Sequence, residues 1–314
     1  MFEGIYGQEA VKKRLKNLIE SDRMSNAYIF SGPSGVGKFL VAKEFSRKLL
    51  GISPDNSPDF KLIEAKKNES SIKIDQIRNL KADISIKPNG KYKIYIIDEA
   101  EKMTDQAQNA LLKTLEEPSS YGIIILVTKN EQALLETIRS RCLDVRFSPL
   151  MIDDIQKILV DKGIDHDRVA VSAIFSRGSA SLAIDIAQRQ EFSDMRKLVE
   201  DYLILSLVDK KSYESTLFLD MFKDYSNQIG IILEMMTLYI RDTILYREGL
   251  SDLMMINKDR VNIIKKIGQA VGVGQLARLI SIIDTTNTKL DANCNYNTSI
   301  QAMSLNIFEV VNKW

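Results

Sequence analysis

The chain has 314 residues, more than one ordinary domain holds and enough for two or three separate cores. Hydrophobic residues make up 45% and charged residues 27%, a balance that excludes both a disordered chain and a membrane-embedded one. With 43 Lys and Arg against 42 Asp and Glu, the net charge of +1 excludes a chain-wide electrostatic grip on nucleic acid; any DNA contact must be local or shared with partner chains.

At the N-terminus, MFEGIYGQEAVKKRL lacks the apolar segment of a signal peptide. No apolar run approaches the roughly 20 residues that span a bilayer, so a cytoplasmic protein is expected. The first half then alternates short apolar runs with helical patterns, the arrangement of a parallel sheet flanked by helices. Strands are expected at AYIF (27–30), FKLIEA (60–65), YKIYIID (92–98), GIIILVT (122–128) and LDVRF (143–147). Between the third and fourth, DQAQNALLKTLEEP carries Ala107, Ala110, Leu111, Thr114 and Leu115 at helical spacing, with Asp105 expected as its cap and Pro118 as its stop. From about Ser148 the strand-like runs cease. DIQKILVDKG, DRVAVSAIFSRG and SASLAIDIAQRQ each have the length of one globular helix, and longer helical stretches follow residue 208. The expected organisation is an α/β domain over 1–149, a small three-helix domain over 150–207 and an all-helical domain over 208–314.

The segment AYIFSGPSGVGKFLVAKEF places Gly32, Pro33, Ser34, Gly35, Val36, Gly37 and Lys38 between an apolar strand and an amphipathic helix, which is the setting a P-loop requires. Glycines let backbone N–H groups turn around phosphate oxygens, the helix start favours negative charge, and Lys38 is placed to reach the outer phosphates. Position 39, where the motif has a magnesium-binding hydroxyl, is Phe39. Two readings stand: a site that holds ATP or ADP weakly and magnesium poorly, or one in which water replaces the missing ligand.

YKIYIID ends in Asp98 and Glu99, where a P-loop protein carries the acid that holds magnesium and the carboxylate that polarises the attacking water. Taken alone, such a pair reads as a solvated turn. Thr128, closing the next strand, is placed either to sense an outer phosphate or to cap a turn. Cys142, Cys294 and a single histidine, His166, exclude a four-ligand zinc site of the Cys or Cys/His kind.

In order and spacing, the first strand, the P-loop, IIDEAEKM, NALLKTLEEP, the Thr-ending strand and Ser140-Arg141-Cys142 resemble the clamp-loader branch of the AAA+ ATPases. DANCNYNTSIQAMSLNIF also resembles the asparagine-containing helix pattern of that family's collar domain, so the resemblance covers nearly the whole chain. It implies an AAA+ sheet domain, a helical lid and a helical collar for oligomerisation. It also implies that Arg141 enters the ATP site of a neighbouring subunit, where such a finger is worth about 10³ to 10⁵ in rate. Arg139, two residues earlier, reads as the surface partner of a carboxylate.

Three departures separate the chain from the family's motor, the gamma/tau subunit, and make it most similar to the delta-prime branch. Phe39 replaces the magnesium ligand, the stretch near LLGISPDNSPDF has no Cys or His for the motor's zinc module, and Ser181 stands where the motor has its second sensor arginine. The resemblance then implies a stator with weak or no ATPase activity of its own. Its implied partners are gamma/tau and delta subunits in a hetero-pentamer, the sliding clamp and, through the assembly, primer-template DNA. Two alternatives remain open: a hydrolysing motor whose Phe39 is compensated elsewhere, and a nucleotide-dependent scaffold outside replication.

Overall fold

The computed structural model describes residues 2–66, 69–211, 220, 222–250, 254–292 and 294–312. Backbone contacts divide the chain into two compact units, Met1–Lys162 with Ser176–Ala183, and Gly163–Phe175 with Ile184–Trp314.

In the first unit, β1 (Ala27–Ser31), β3 (Lys93–Ile97) and β4 (Gly122–Thr128) are buried along their whole length. That is why each reads as a continuous apolar run rather than an alternating one: helices cover both faces of a parallel sheet. β2 (Phe60–Ile63) and β5 (Leu143–Arg146) form the edges, in the order β2-β3-β4-β1-β5, with every neighbour parallel. On one face Ile29, Tyr95, Ile97, Ile124 and Leu126 share a core with Ile77 and Leu80 of α3 (Ile74–Ile84) and with Leu111 and Leu115 of α4 (Asp105–Glu116). On the other, Tyr28 meets Phe45 of α2 (Lys38–Leu50) edge-on, ring centroids 5.6 Å apart, and α1 (Glu9–Glu20) packs on α2. All five expected strands are present, as an α/β/α sandwich.

One expected cap is corrected. Thr104, not Asp105, caps α4: its hydroxyl accepts from Ala107 N at 3.2 Å. Asp105 is the first helical residue, where its charge favours the helix dipole instead. The excursion at residues 51–59 is held by ordinary side chains. Pro54 is buried, Lys43 pairs with Asp55 at 2.7 Å, and the buried Asp59 accepts from Asn89 N and Gly90 N.

Asp83, near the end of α3, ties the β2 edge to the sheet by accepting from Tyr95 OH at 2.5 Å and pairing with Lys61 at 2.7 Å and Lys93 at 3.2 Å. Burial pushes this carboxyl up, but the bonds from Lys61, Tyr95 and Lys93 outweigh it and bring the pKa down to about 2. A depressed folded-state pKa means that its stabilisation is present above the unfolded value near 4 and is lost as pH falls toward 2. Asp83→Asn is expected to cost on the order of 2 kcal/mol at pH 7 and to flatten the stability loss between about pH 4 and 2. Urea denaturation at the two pH values reads both effects.

α5 (Glu136–Arg139) precedes β5, and α6 (Ile152–Asp161) completes the first unit's long elements. α7 (His166–Phe175) belongs to the second unit, and the division between units runs through α8 (Ala180–Gln188). The second unit continues with α9 (Gln190–Leu203), α10 (Ile229–Arg247), α11 (Val261–Ala270), α12 (Val273–Asp291) and α13 (Tyr296–Asn312). α10 packs on α11 and α12, and α12 on α13, around Tyr202, Leu233, Met236, Ile264, Leu279 and Met303. Within DANCNYN, Asn293 lies outside the described residues. Asn295 precedes α13, and its side chain accepts from Thr298 N at 3.0 Å, which gives that asparagine a capping role. Among the described residues, no helix is long and apolar enough to cross a membrane.

Candidate functional site

The sheet order puts the C-terminal ends of β1, β3 and β4 side by side, and the sequence-predicted site residues other than Arg141 lie there. β1 runs into Gly32, Pro33 and Ser34, Val36 anchors the turn in the core, and Gly37 in a left-handed conformation delivers Lys38 as the first residue of α2. Two glycines are required sterically. A Cβ at Gly32 would fall 2.4 Å from Phe147 O, and one at Gly35, where φ is +73°, would fall 2.1 Å from Ser181 Oγ and 2.2 Å from Ser179 Oγ. Residues 179–181 thus lie on the loop, and Ala180 N donates to Gly35 O at 2.9 Å. Ser181 is in the predicted neighbourhood, but it contributes a hydroxyl where a cation was absent from the sequence.

Lys38 is only 8% exposed, and its ammonium donates to Gly32 O at 2.7 Å and Pro33 O at 2.5 Å, the loop's own carbonyls. Burial pulls its pKa below the ordinary lysine value, opposed by the charges of Glu101 and then Asp98. Asp98 is half-buried at the end of β3. Its carboxyl is pushed up by burial and by the neighbouring charges of Glu99, Glu64 and Glu101, against a bond accepted from Glu99 N. Glu99 has a left-handed backbone, φ +48°, and its carboxylate is tied to Lys102 at 2.5 Å. The pair expected to work together therefore splits: Asp98 stays near Lys38, while Glu99 is engaged by a lysine on its own turn.

Thr128, fully buried at the end of β4, caps the turn that follows it and also meets a carboxylate. Its hydroxyl donates to Glu101 Oε2 at 2.7 Å and accepts from Asn130 N at 3.1 Å. Glu101 is the site residue that sequence reasoning missed. It stands in plain view as the third acid of IIDEAEKM, but only the pairing of β3 with β4 brings it to Thr128.

Phe39 gives no oxygen to a metal where the motif has a hydroxyl, while Lys38 donates to loop carbonyls and the Thr128 hydroxyl to a carboxylate.

Arg141 lies at the opposite end of the strands. It follows α5 and, with Ser25, Asn26, Ala27, Thr114 and Gly122, lines a cavity of about 130 Å³ beside the N-terminal ends of β1 and β4. Its guanidinium donates to Thr137 O at 2.9 Å and pairs with Glu116 at 2.9 Å, while the side chain stays 37% exposed. The expected carboxylate partnership of Arg139 is corrected: the buried Nε of Arg139 has no partner among the described residues, and Arg141 holds the carboxylate. Burial pushes the Cys142 thiol up to about 12, so Cys142 is a packing group rather than a nucleophile.

Residues 7–151 match the family described as DNA polymerase III, delta subunit, and residues 190–305 match DNA polymerase III, delta subunit, C terminal. The chain is 32% identical to the delta' subunit of DNA polymerase III from Bacillus subtilis (strain 168) over 281 residues, covering 82% of this chain and 83% of that one. It is 27% identical to the tau subunit of the same organism, over 92% of this chain and 58% of the longer tau. A gamma subunit-related protein of Thermotoga maritima aligns in structure with a TM-score of 0.43 and 20% identity, over 95% of this chain and 99% of that one.

Proposed function

Because the chain belongs to the delta-prime family of DNA polymerase III subunits and is thereby a clamp-loader subunit, we propose that it acts as the stator of its complex, lending Arg141 to a nucleotide held by a neighbouring subunit. The observation that carries this reading is the position of Arg141. The guanidinium lies beside the start of β1, and the chain's own P-loop lies beyond its end, five residues away. At about 3.3 Å per residue, that strand alone separates them by roughly 16 Å. A phosphate met by Arg141 therefore belongs to another molecule. The exposed fork is suited to it, since a planar guanidinium offers paired donors to phosphate oxygens.

In this role the chain's own nucleotide site holds ATP or ADP weakly at most and turns over little, because Phe39 gives magnesium no ligand. Residues 1–149 form the AAA+ domain, 150–207 the lid and 208–314 the collar. The partners are gamma/tau and delta subunits in a hetero-pentamer, which loads the sliding clamp onto primer-template DNA in the cytoplasm. A net charge of +1 suits a subunit that shares the grip on DNA with others.

The test is reconstitution. Adding the purified chain to motor and delta subunits is expected to give a stable complex and to restore ATP-dependent loading of the clamp on primed DNA. Absence of the chain from that complex would reject the reading. Similarity to tau over 92% of this chain favours one competitor, a motor subunit. Turnover by the isolated chain at about 1 to 10³ per second, abolished by Lys38→Ala, would select the motor instead.

A further inference from the structure

We infer that Glu101 is a built-in anion of the nucleotide pocket, a carboxylate that takes the hydroxyl an outer phosphate would otherwise engage. This rests on the reading of residues 32–38 as a weak nucleotide site. Three observations carry it. Thr128 has one hydroxyl hydrogen, and it goes to Glu101 Oε2 at 2.7 Å, while the hydroxyl oxygen accepts from Asn130 N at 3.1 Å; no second hydrogen is left for another acceptor. Thr128 is 1% exposed, so its hydroxyl must find its partners within the protein. Lys38, 8% exposed, has two donors on Gly32 O and Pro33 O, and among the acids acting on its charge Glu101 comes first, ahead of Asp98.

An incoming polyphosphate then meets a fixed negative charge where it needs a donor. It must displace a carboxylate from Thr128 or bind without that contact, and in either case it lies near a like charge inside a partly buried site, where repulsion is poorly screened. Glu101 also satisfies the buried Thr128 hydroxyl, which would otherwise have no acceptor. The same site that is a catalytic pocket in a P-loop enzyme is here internally satisfied, which suits a subunit whose loop serves as framework.

The experiment is calorimetric titration of the full chain with ATP, without catalysis, for the wild type, Glu101→Gln, Glu101→Ala and Glu101→Gln combined with Lys38→Ala. Glutamine keeps an oxygen to accept from Thr128 while removing the charge, so E101Q is expected to tighten ATP binding at least about tenfold, and K38A to abolish that gain. Thermal melts with and without ATP give a second readout of the same order. Wild-type and E101Q chains that are both folded and equally weak would overturn the Glu101 assignment while leaving the weak-site reading standing. Submicromolar binding by the wild type would instead remove the weak-site reading itself. Failure of both E101Q and E101A to fold would make Glu101 a structural support alone and equally overturn the proposal.

Discussion

Replacing Arg141 with alanine is expected to leave folding and assembly intact and to slow ATP hydrolysis at the adjoining subunit's site by about 10³-fold or more. The two halves of that expectation come from different magnitudes. Within its own chain, Arg141 makes an ion pair with Glu116 whose side chains are 37% and 49% exposed, and such surface pairs contribute about 0 to 1 kcal/mol. Its bond to Thr137 O is replaceable by water. In the assembled site the same guanidinium would face charge developing on a transferring phosphoryl group in a pocket that excludes water, where preorganised cations have their largest effects. Single-turnover hydrolysis in the reconstituted complex is the appropriate measurement, since steady-state turnover falls only by the share of the one site affected. Arg141→Lys separates charge from shape: an ammonium cannot present the paired donors of the guanidinium, so it should recover little of the rate. An unchanged hydrolysis rate in R141A would falsify the finger assignment.

The parts of the molecule that were readable in advance are those in which local pattern and global fold agree. β1, β3 and β4 are buried on both faces, so their apolar runs betray them without any alternation. The P-loop is readable because backbone geometry demands glycine at 32 and 35, and sequence records that demand directly. What sequence does not record is the direction of a side chain's bonds. Asp98 and Glu99 are adjacent and chemically alike, yet a left-handed residue at 99 sends one carboxylate to Lys102 and leaves the other near Lys38. Arg139 and Arg141 are two residues apart, and only the path of α4 decides which of them finds Glu116. Glu101 became visible through a cross-strand neighbour, Thr128, 27 residues away. The cap of α4 was missed by one residue because Thr104 and Asp105 are both good capping types, and the backbone conformation at 104 chooses between them.

In the helical unit the largest effect is expected from Arg196, a cation flanked on α9 by the buried Met195 and Val199. It is 6% exposed. Its guanidinium donates to both oxygens of Asp259 at 2.7 and 2.8 Å, to Asn257 Oδ1 at 3.0 Å and to Tyr239 OH at 3.1 Å. Tyr239 in turn donates to Glu200, which also accepts from Arg260 at 2.9 Å. Asp242, fully buried on α10, accepts from Ile256 N, Asn257 N and Asn257 Nδ2. Together these bonds fix residues 256–260, just before α11, against α9 and α10. Arg196→Met fills similar volume but leaves Asp259 facing one remaining arginine, Arg260, at 3.1 Å. Removing one member of a buried pair costs about 3 to 5 kcal/mol because the partner charge stays desolvated. Asp259 and Arg260 are partly exposed, so water and Arg260 relieve some of that penalty and the expected loss lies near the lower end, about 3 kcal/mol. Against a typical domain stability of about 5 to 15 kcal/mol, such a loss should pull the helical unit's urea transition ahead of the sheet unit's and split one unfolding curve into two. The double variant Arg196→Met, Asp259→Asn should be less destabilised than the sum of the two single variants, by about 1 to 3 kcal/mol, because the second change removes the charge that the first left unpaired. Additive losses, or an R196M cost below about 1 kcal/mol, would mean that the guanidinium is solvated and that apolar packing alone holds the segment in place.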